Sequence, residues 1–453
     1  MNDDVRPHPY LPHTADGAAR AMLDHIGVGE VSDLFADIPA HLRQRSPFGL
    51  PAPLRSEVQL VRHVRQRLAR NTTTLTATSF CGAGTYQHHV PAVCREVANR
   101  AEFVSAYAGE PYEDHGKHQA LFEYQSLMAE LLEMDVVGIP TYDGYQAAGT
   151  ALRMAGRITG RPHAVTYGRL LADRRSRLEE YVHPTLARLE HLAGHSNLAV
   201  LEQRLGEDCA AVLVELPDAH GLIDADIATI AELAHRAGAI LIVAIDPITL
   251  GLLAPNARHG ADIVCGDLQT LGNGMHFGGA HAGFVAVHDD PRFVYELPTR
   301  LYGLAPTRTE GEIGFIDIAY ERTSLAAREH GVEWIGTASA LSGIVAATFL
   351  SLHGPQGMRE LGDAIFDRTS YALAGLSGVP GCSVLDADRP HFREFVLRLD
   401  GENRTAHDLL ENLARQHILG GVAVAVREVL VSVTEIHERD DIDRLITAVK
   451  DYA

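Results

Sequence analysis

Two apolar runs in the middle of the chain each end on groups that can do chemistry. Residues 240–245 (ILIVAI) deliver Asp246, and residues 261–265 (ADIVC) run into Gly266-Asp267-Leu268-Gln269-Thr270 and then a glycine-rich loop. A carboxylate at a strand end can hold a cationic ligand, whereas the amide of Gln269 can only hydrogen-bond. A second concentration is AYAGEPYEDHGKH, residues 106–118, which contains Glu110, Tyr112, Glu113, Asp114, His115, Lys117 and His118. His115-x-x-His118 suits two ligands on one helical turn. Imidazole with Glu113, Asp114 or Glu215 is a usual ligand set for zinc or non-haem iron. His88, His89, His220, His276 and His281 also fall on loops. The spacing matches no recognised metal signature, and with 25 histidines in 453 residues some clustering arises by chance. Metal ligation by His89, His115, His118 and His220 therefore stands beside a plain structural or solvent-facing reading of the same residues. Lys117 and Lys450 are the only lysines, so any Schiff base made by this chain alone must use one of them. Lys117 is either a surface lysine or a general acid/base or anion contact in a cleft.

The elements that must position these groups fall into three stretches. Residues 1–75 read as a helical arm, with Thr14 a candidate N-cap and no core of its own. Such an arm packs on another subunit or wraps the main domain. Residues 76–337 begin with a glycine-rich loop, SFCGAGTYQHHVP at 79–91, and a helix over 119–132. Strands are expected at 136–139, 164–167, 187–192, 210–216, 240–245 and 261–265, with helices reaching about 158 and over 226–237. Strands alternating with helices predict a mainly parallel sheet covered on both faces, with ligands at the carboxyl ends of the strands. The loops after Leu216, Ile245 and Cys265 belong there. Residues 141–147 (TYDGYQA) turn into a helix whose small residues would let backbone N–H groups meet a phosphate, with Asp143 at its start. Residues 294–337 read as arginine-containing loops. Residues 338–453 form a small α+β domain, with helices at 338–352, 357–376, 405–416 and 440–452 and strands near 384, 394–399 and 430–434.

Composition narrows the function. The net charge of −20 argues against broad binding of nucleic acid or anionic membrane, both of which reward clustered lysine and arginine. Five scattered cysteines without a CxxC pair suggest reduced thiols in a cytoplasm. No signal peptide opens the chain and no apolar run is long enough to span a bilayer, so a soluble cytoplasmic protein is expected.

Several stretches occur together and in a telling order between His13 and about Val449: LFADIPAHLR, FCGAGTYQHHVPAV, QALFEYQSLMAELLEMDV, AELAHRAGAILIVAIDPITLGLL, GADIVCGDLQTLG, FGGAHAG and VSVTEIHERDDIDRL. In these the chain resembles subunit 1 of the two-subunit glycine dehydrogenase (decarboxylating), the P-protein of the glycine cleavage system. The resemblance implies the fold type I architecture of pyridoxal-phosphate (PLP) enzymes: an α/β domain with a mainly parallel, seven-stranded-type sheet, a small C-terminal α+β domain and a helical N-terminal arm. In such enzymes an aspartate contacts the pyridinium nitrogen and a lysine after the next strand forms the Schiff base. Those positions here are Asp246 and Gln269, and subunit 1 typically lacks the lysine, which belongs to subunit 2. The resemblance therefore implies PLP only through a partner subunit. Glycine would lose its carboxylate there, and the aminomethyl group would pass to the lipoyl arm of the H-protein.

On this reading Asp143, Asp246, Gln269 and Thr337 are the candidate cofactor contacts, and His88, Lys117 and Asp246 the candidate catalytic residues. The cleft loops depart from the family. YAGEPYEDHGK replaces a sequence close to YTPYQPEISQG, His281 stands at a tyrosine position, and SLAAREHGVEWIGTAS (324–339) keeps only scraps such as Arg328 and Thr337. Two alternatives follow. One is a repurposed enzyme, working alone or as a homodimer, that uses a histidine/carboxylate-bound metal on a small amino acid, with Arg322 or Arg328 on its carboxylate. The other is a non-catalytic pseudoenzyme that binds a partner.

Overall fold

The computed structural model describes residues 8, 10–15, 17–43, 49–104, 115–183, 185–194, 198–223, 225–279, 281–317, 322–336, 339–401 and 403–452. Thr337, residues 105–114 and the side chain of His115 lie outside the described residues. The chain divides into two compact units, Met1–Thr72 and Thr73–Ala453. In the first, helices α1 (Ala18–Ile26) and α2 (Glu57–Leu68) leave Leu23 as the one buried residue among those described. Thr14 does not cap α1. Pro12 sets a 3-10 turn over Pro12–Thr14, and the Thr14 hydroxyl donates to the Leu11 carbonyl at 2.7 Å. Gly17, at φ 72°, starts α1 instead.

The second unit opens with β1 (Thr78–Ser79), α3 (Ala92–Ala98), α4 (His115–Leu132), β2 (Val136–Val137), α5 (Gly144–Thr159), β3 (His163–Tyr167) and α6 (Ala172–Val182). It continues through β4 (Arg188–Leu192), α7 (Leu198–Arg204), β5 (Cys209–Leu216), α8 (Ile227–Arg236), β6 (Ile240–Ile245), β7 (Ile263–Asp267), β8 (Gly283–Val287) and α9 (Pro291–Val294). These strands form one seven-stranded sheet, ordered β2-β8-β7-β6-β5-β3-β4. The pairs from β4 to β7 are parallel; β8 runs antiparallel to β7, and β2, antiparallel to β8, ends the sheet at that edge.

The two-residue period of a strand explains why both faces are covered. Val212, Val214, Leu241 and Val243 face α4, α8 and the long helix described next. Ala211, Leu213, Ile240 and Ile242, the alternate residues, face α5, α6 and α9. Each large apolar side chain so buried contributes about 1.5–3 kcal/mol relative to exposure. Burial on both faces is why β5 and β6 read as unbroken apolar runs.

A hairpin follows, β9 (Tyr302–Pro306) and β10 (Ile313–Asp317), where loops were expected. The long helix α10 (Ala340–Ser377) is broken at Gly354 (φ 60°, ψ −174°) ahead of Pro355, in keeping with the two helices expected from sequence. The remaining elements are β11 (Cys382–Val384), β12 (Glu394–Leu399), α11 (Ala406–Arg415), β13 (Ile418–Leu419), β14 (Val422–Ala425), β15 (Glu428–Ser432) and α12 (Arg439–Tyr452). Strands β11-β12-β15-β14 form an antiparallel sheet over a core shared with α11, α12 and the second half of α10. β1 pairs in parallel with β13, and the Phe80 N–H donates to the Leu419 carbonyl at 2.7 Å. This pairing anchors the glycine-rich loop that follows.

Candidate active site

A cavity of about 310 Å³ lies at the carboxyl ends of β5, β6 and β7. The glycine-rich loop (Ala83–Tyr86), the start of α5, α6 and the start of β12 complete its walls. Asp246 is delivered by β6 as expected. Its Oδ1 accepts from the Ile248 N–H and the Thr270 hydroxyl, both at 3.0 Å. Its Oδ2 lies 2.5 Å from Nη2 of Arg393, which is only 2% exposed. The Arg393 guanidinium sits 4.3 Å above the Tyr86 ring. The charge of Asp246 is therefore already met by a cation of the same chain.

The start of α5 is likewise occupied. Asp143 is its N-cap, and one carboxylate oxygen accepts from the N–H groups of Tyr145 (3.0 Å) and Gln146 (2.9 Å). The Gly144 N–H donates to Asp267 at 3.1 Å. Three amides that a helix start could offer to a phosphate are thus spent on two carboxylates. His281 lies 3.8 Å from Asp267. Burial opposes its charged form, but the Asp267 contact, the Met275 carbonyl and Asp143 outweigh this and raise its pKa.

Gln269 is buried and acts as a clip. Its Oε1 accepts from the Tyr86 N–H at 3.1 Å and its Nε2 donates to the Tyr86 carbonyl at 2.9 Å. One side-chain amide thus stands in for a strand partner and fastens the glycine-rich loop to the end of β7. Beside it, Glu394 accepts from the Ala83 N–H (2.6 Å) and the Tyr86 hydroxyl (2.8 Å). Burial pushes its carboxyl upward against those bonds and the charges of Arg174 and Arg393. Glu215, near the end of β5, pairs with Arg174 of α6, whose guanidinium lies 4.7 Å above the Tyr145 ring. Burial dominates here too, and raises the Glu215 carboxyl to about 7.

The glycine cleavage system P-protein model matches residues 8–449. The chain belongs to the glycine cleavage system P-protein family. The probable glycine dehydrogenase (decarboxylating) subunit 1 of Carboxydothermus hydrogenoformans is 34% identical over 449 residues, covering 96% of this chain and 98% of that one. The same-named protein of Aeropyrum pernix is 34% identical over 461 residues, covering 97% and 98%. Among solved structures, the glycine decarboxylase (P-protein) of the glycine cleavage system, in inhibitor-bound form, superposes with a TM-score of 0.84 at 32% identity, covering 99% of this chain and all of that one. A sphingosine-1-phosphate lyase of Burkholderia pseudomallei shares the fold alone, at 14% identity and TM-score 0.64 over 90% and 92% of the two chains. The expected architecture of PLP enzymes is thus present in this P-protein family member.

The residues of its own cleft do not fit the cofactor. Asp246 is neutralised by Arg393, the amides at the start of α5 are closed by Asp143 and Asp267, and the Gln269 amide is spent on the Tyr86 backbone.

The expected site residues are only partly brought together. Asp143, Asp246, Gln269 and His281 line the cavity. His88 does not; its Nδ1 pairs with Glu435 at 2.6 Å, and the backbone N–H of His89 donates to the same carboxylate at 2.6 Å. Burial alone would raise Glu435, but these bonds and the His88 charge pull it down to about 2. Lys117 is buried on α4 and is not a surface lysine, and it too lies off the cavity wall. His118, on the same helix, packs 5.0 Å from the Tyr302 ring. The His220 N–H donates to Asp218 at 2.8 Å.

Among the described residues no group of three or more His, Cys, Asp or Glu could hold a metal ion, so the proposed ligands His89, His118 and His220 do not converge. Glu113, Asp114 and the side chain of His115, the other groups of that expectation, lie outside the described residues. Arg322 pairs with Asp289 at the surface and does not reach the cleft. The arginines that do line it, Arg174, Arg177 and Arg393, were missed, as was Glu394. The adjacent charges of Arg393-Glu394, at the head of the apolar run 395–397, were a usable signal for the last two. No helix among the described residues is long and apolar enough to cross a membrane.

Proposed function

We propose that this chain is the lysine-lacking component of a two-subunit glycine decarboxylase, acting in glycine decarboxylation and aminomethyl transfer with a lysine-bearing PLP partner subunit. The observation that carries this reading is family membership over nearly the whole chain; the structure supports it by tying up Gln269, which we read as standing at the Schiff-base lysine position, as a clip on Tyr86. PLP would provide the electron sink for decarboxylation, held on the partner. This chain would act through surfaces rather than through its own cleft.

The hairpin β9–β10 supports such a surface. Leu304 lies opposite Phe315 and Pro306 opposite Ile313, on one face, with Leu304 53% and Ile313 66% exposed. Apolar residues clustered this way mark a protein contact. Co-expression with a lysine-bearing subunit tests the proposal. The expected result is a stable complex with glycine-dependent CO2 exchange. A stable homo-oligomer indifferent to that partner would overturn it.

A further inference from the structure

The chain that leads into β12 lies along the turn that follows β5. Leu222 forms an antiparallel bridge with His391, and the Phe392 N–H donates to the Gly221 carbonyl at 2.8 Å. Arg169, in the loop after β3, pairs with Asp386 of the same segment at 2.9 Å. The small antiparallel sheet is thereby held to the carboxyl ends of the large one. From this segment Glu394 reaches Ala83 and Tyr86, and Arg393 reaches Asp246 at the end of β6. Arg393 is held at a cost. Its backbone is left-handed, at φ 62°, and its buried Nε and Nη1 have no hydrogen-bond partner among the described residues. What offsets that cost is the Asp246 carboxylate and the ring of Tyr86 beneath the guanidinium.

Asp246 depends on Arg393 in turn. Its wall carries six further acids, Asp143, Asp173, Glu215, Asp218, Asp267 and Glu394, against Arg174, Arg177, Arg393 and His281. Those other cations are engaged elsewhere: Arg174 with Glu215, His281 beside Asp267, and Arg177 5.5 Å from the Tyr145 ring. Without Arg393 a largely buried carboxylate would stand in an acidic surround with no cation. A flat, delocalised cation stacked on an aromatic ring and paired with a carboxylate at a strand end is the arrangement a pyridinium would make. Here a side chain makes it.

We propose that Arg393 is a built-in latch, which takes the place of a bound cation on Asp246, keeps the small sheet closed on the cleft without needing a ligand, and bars other cations from that carboxylate. Every group in the latch belongs to this chain, so it does not depend on a lysine-bearing partner.

Thermal unfolding of the full-length wild type, of Arg393→Ala, and of Arg393→Ala combined with Asp246→Asn tests this. Arg393→Ala should melt about 5 °C or more below the wild type, because it strands the carboxylate. Ethylguanidinium supplies the atoms that the substitution deletes. At about 10 mM it should raise the midpoint of Arg393→Ala by about 2 °C or more and do so saturably, whereas ethylurea, equally flat but neutral, should not. The double variant, with no carboxylate to strand, should melt above Arg393→Ala and ignore ethylguanidinium. Should Arg393→Ala not fold, hydrogen exchange of the wild-type chain free of PLP makes the test. The Ala83 and Phe392 amides, which bond across to Glu394 and Gly221, should exchange about 100-fold or more slower than in an unfolded chain. A midpoint of Arg393→Ala within about 1 °C of the wild type overturns the proposal. So does an equal response to ethylguanidinium and ethylurea, a double variant no more stable than the single one, or rapid exchange of those two amides. None of these outcomes turns on complex formation or CO2 exchange with a partner subunit.

Discussion

A lysine placed at position 269 should not be enough to hold PLP in this cleft. In Gln269→Lys the new amine would stand at the end of β7, the place that the proposed function gives a Schiff-base lysine, but the rest of the cleft is unchanged. A phosphate at the start of α5 must take amides now held by Asp143 and Asp267. Moving Asp143 off its cap costs about 1 kcal/mol. Leaving one carboxylate ~4 Å from one unit of phosphate charge costs about 4 kcal/mol at an effective dielectric constant of about 20. The sum, about 5 kcal/mol, corresponds to a loss of about three to four powers of ten in affinity. The substitution also removes the two bonds to Tyr86, at about 1 kcal/mol each. Absorbance titration with PLP, followed by borohydride trapping and intact mass, reads the outcome. No stoichiometric adduct is expected at micromolar PLP, and the variant should melt below the wild type. Adding Asp143→Asn and Asp267→Asn should then raise PLP affinity. One trapped PLP per chain in Gln269→Lys alone would refute the argument that the carboxylates close the cup.

Other residues give independent checks. Glu435 has its carboxyl lowered from 4.5 to about 2, so its contribution is fully present above 4.5 and is lost as pH falls towards 2. By linkage the shift is worth up to about 3 kcal/mol, so Glu435→Gln should lower stability by about 1–3 kcal/mol at pH 7 and flatten the acid limb of the melting curve between pH 4.5 and 2. An unchanged acid limb would contradict the assignment. Gly221 sits at φ 84°, and a Cβ there would overlap the Glu394 carbonyl oxygen. Gly221→Ala should cost about 2–4 kcal/mol in denaturant unfolding. Gly160→Ala, also at positive φ but with open space around it, should cost only about 1 kcal/mol.

The scaffold was legible because burial writes itself into sequence. Strands β5, β6 and β7 are apolar runs closed by Glu215, Asp246 and Asp267, and the position of Asp246 at a strand end followed from that pattern alone. Helix α6 was not read, because only Leu178 and Val182 of its residues are buried and the apolar period is faint. The i,i+4 pair Arg175–Glu179 was the remaining signal. With α6 went Arg174. Strand β8 was missed because it runs antiparallel to β7, with only a 3-10 turn at His276–Gly278 ahead of it in place of a crossover helix. Hairpin β9–β10 turns through residues 307–312, with Gly311 at φ 81°, and its exposed apolar face resembles no buried strand. The cleft chemistry was least legible. Which acids meet which arginines depends on approaches between residues far apart in the chain, such as Asp246 with Arg393, that no local spacing encodes.

On the proposed function, this P-protein family member contributes to glycine decarboxylation only alongside a lysine-bearing partner. Exchange of labelled CO2 into the carboxyl group of glycine, with PLP and a lipoylated carrier present, tests it most directly when measured on each subunit alone and on the mixture. No exchange is expected from this chain alone, and strong exchange from the mixture. Exchange by this chain alone, or a mixture no faster than the partner by itself, would contradict it.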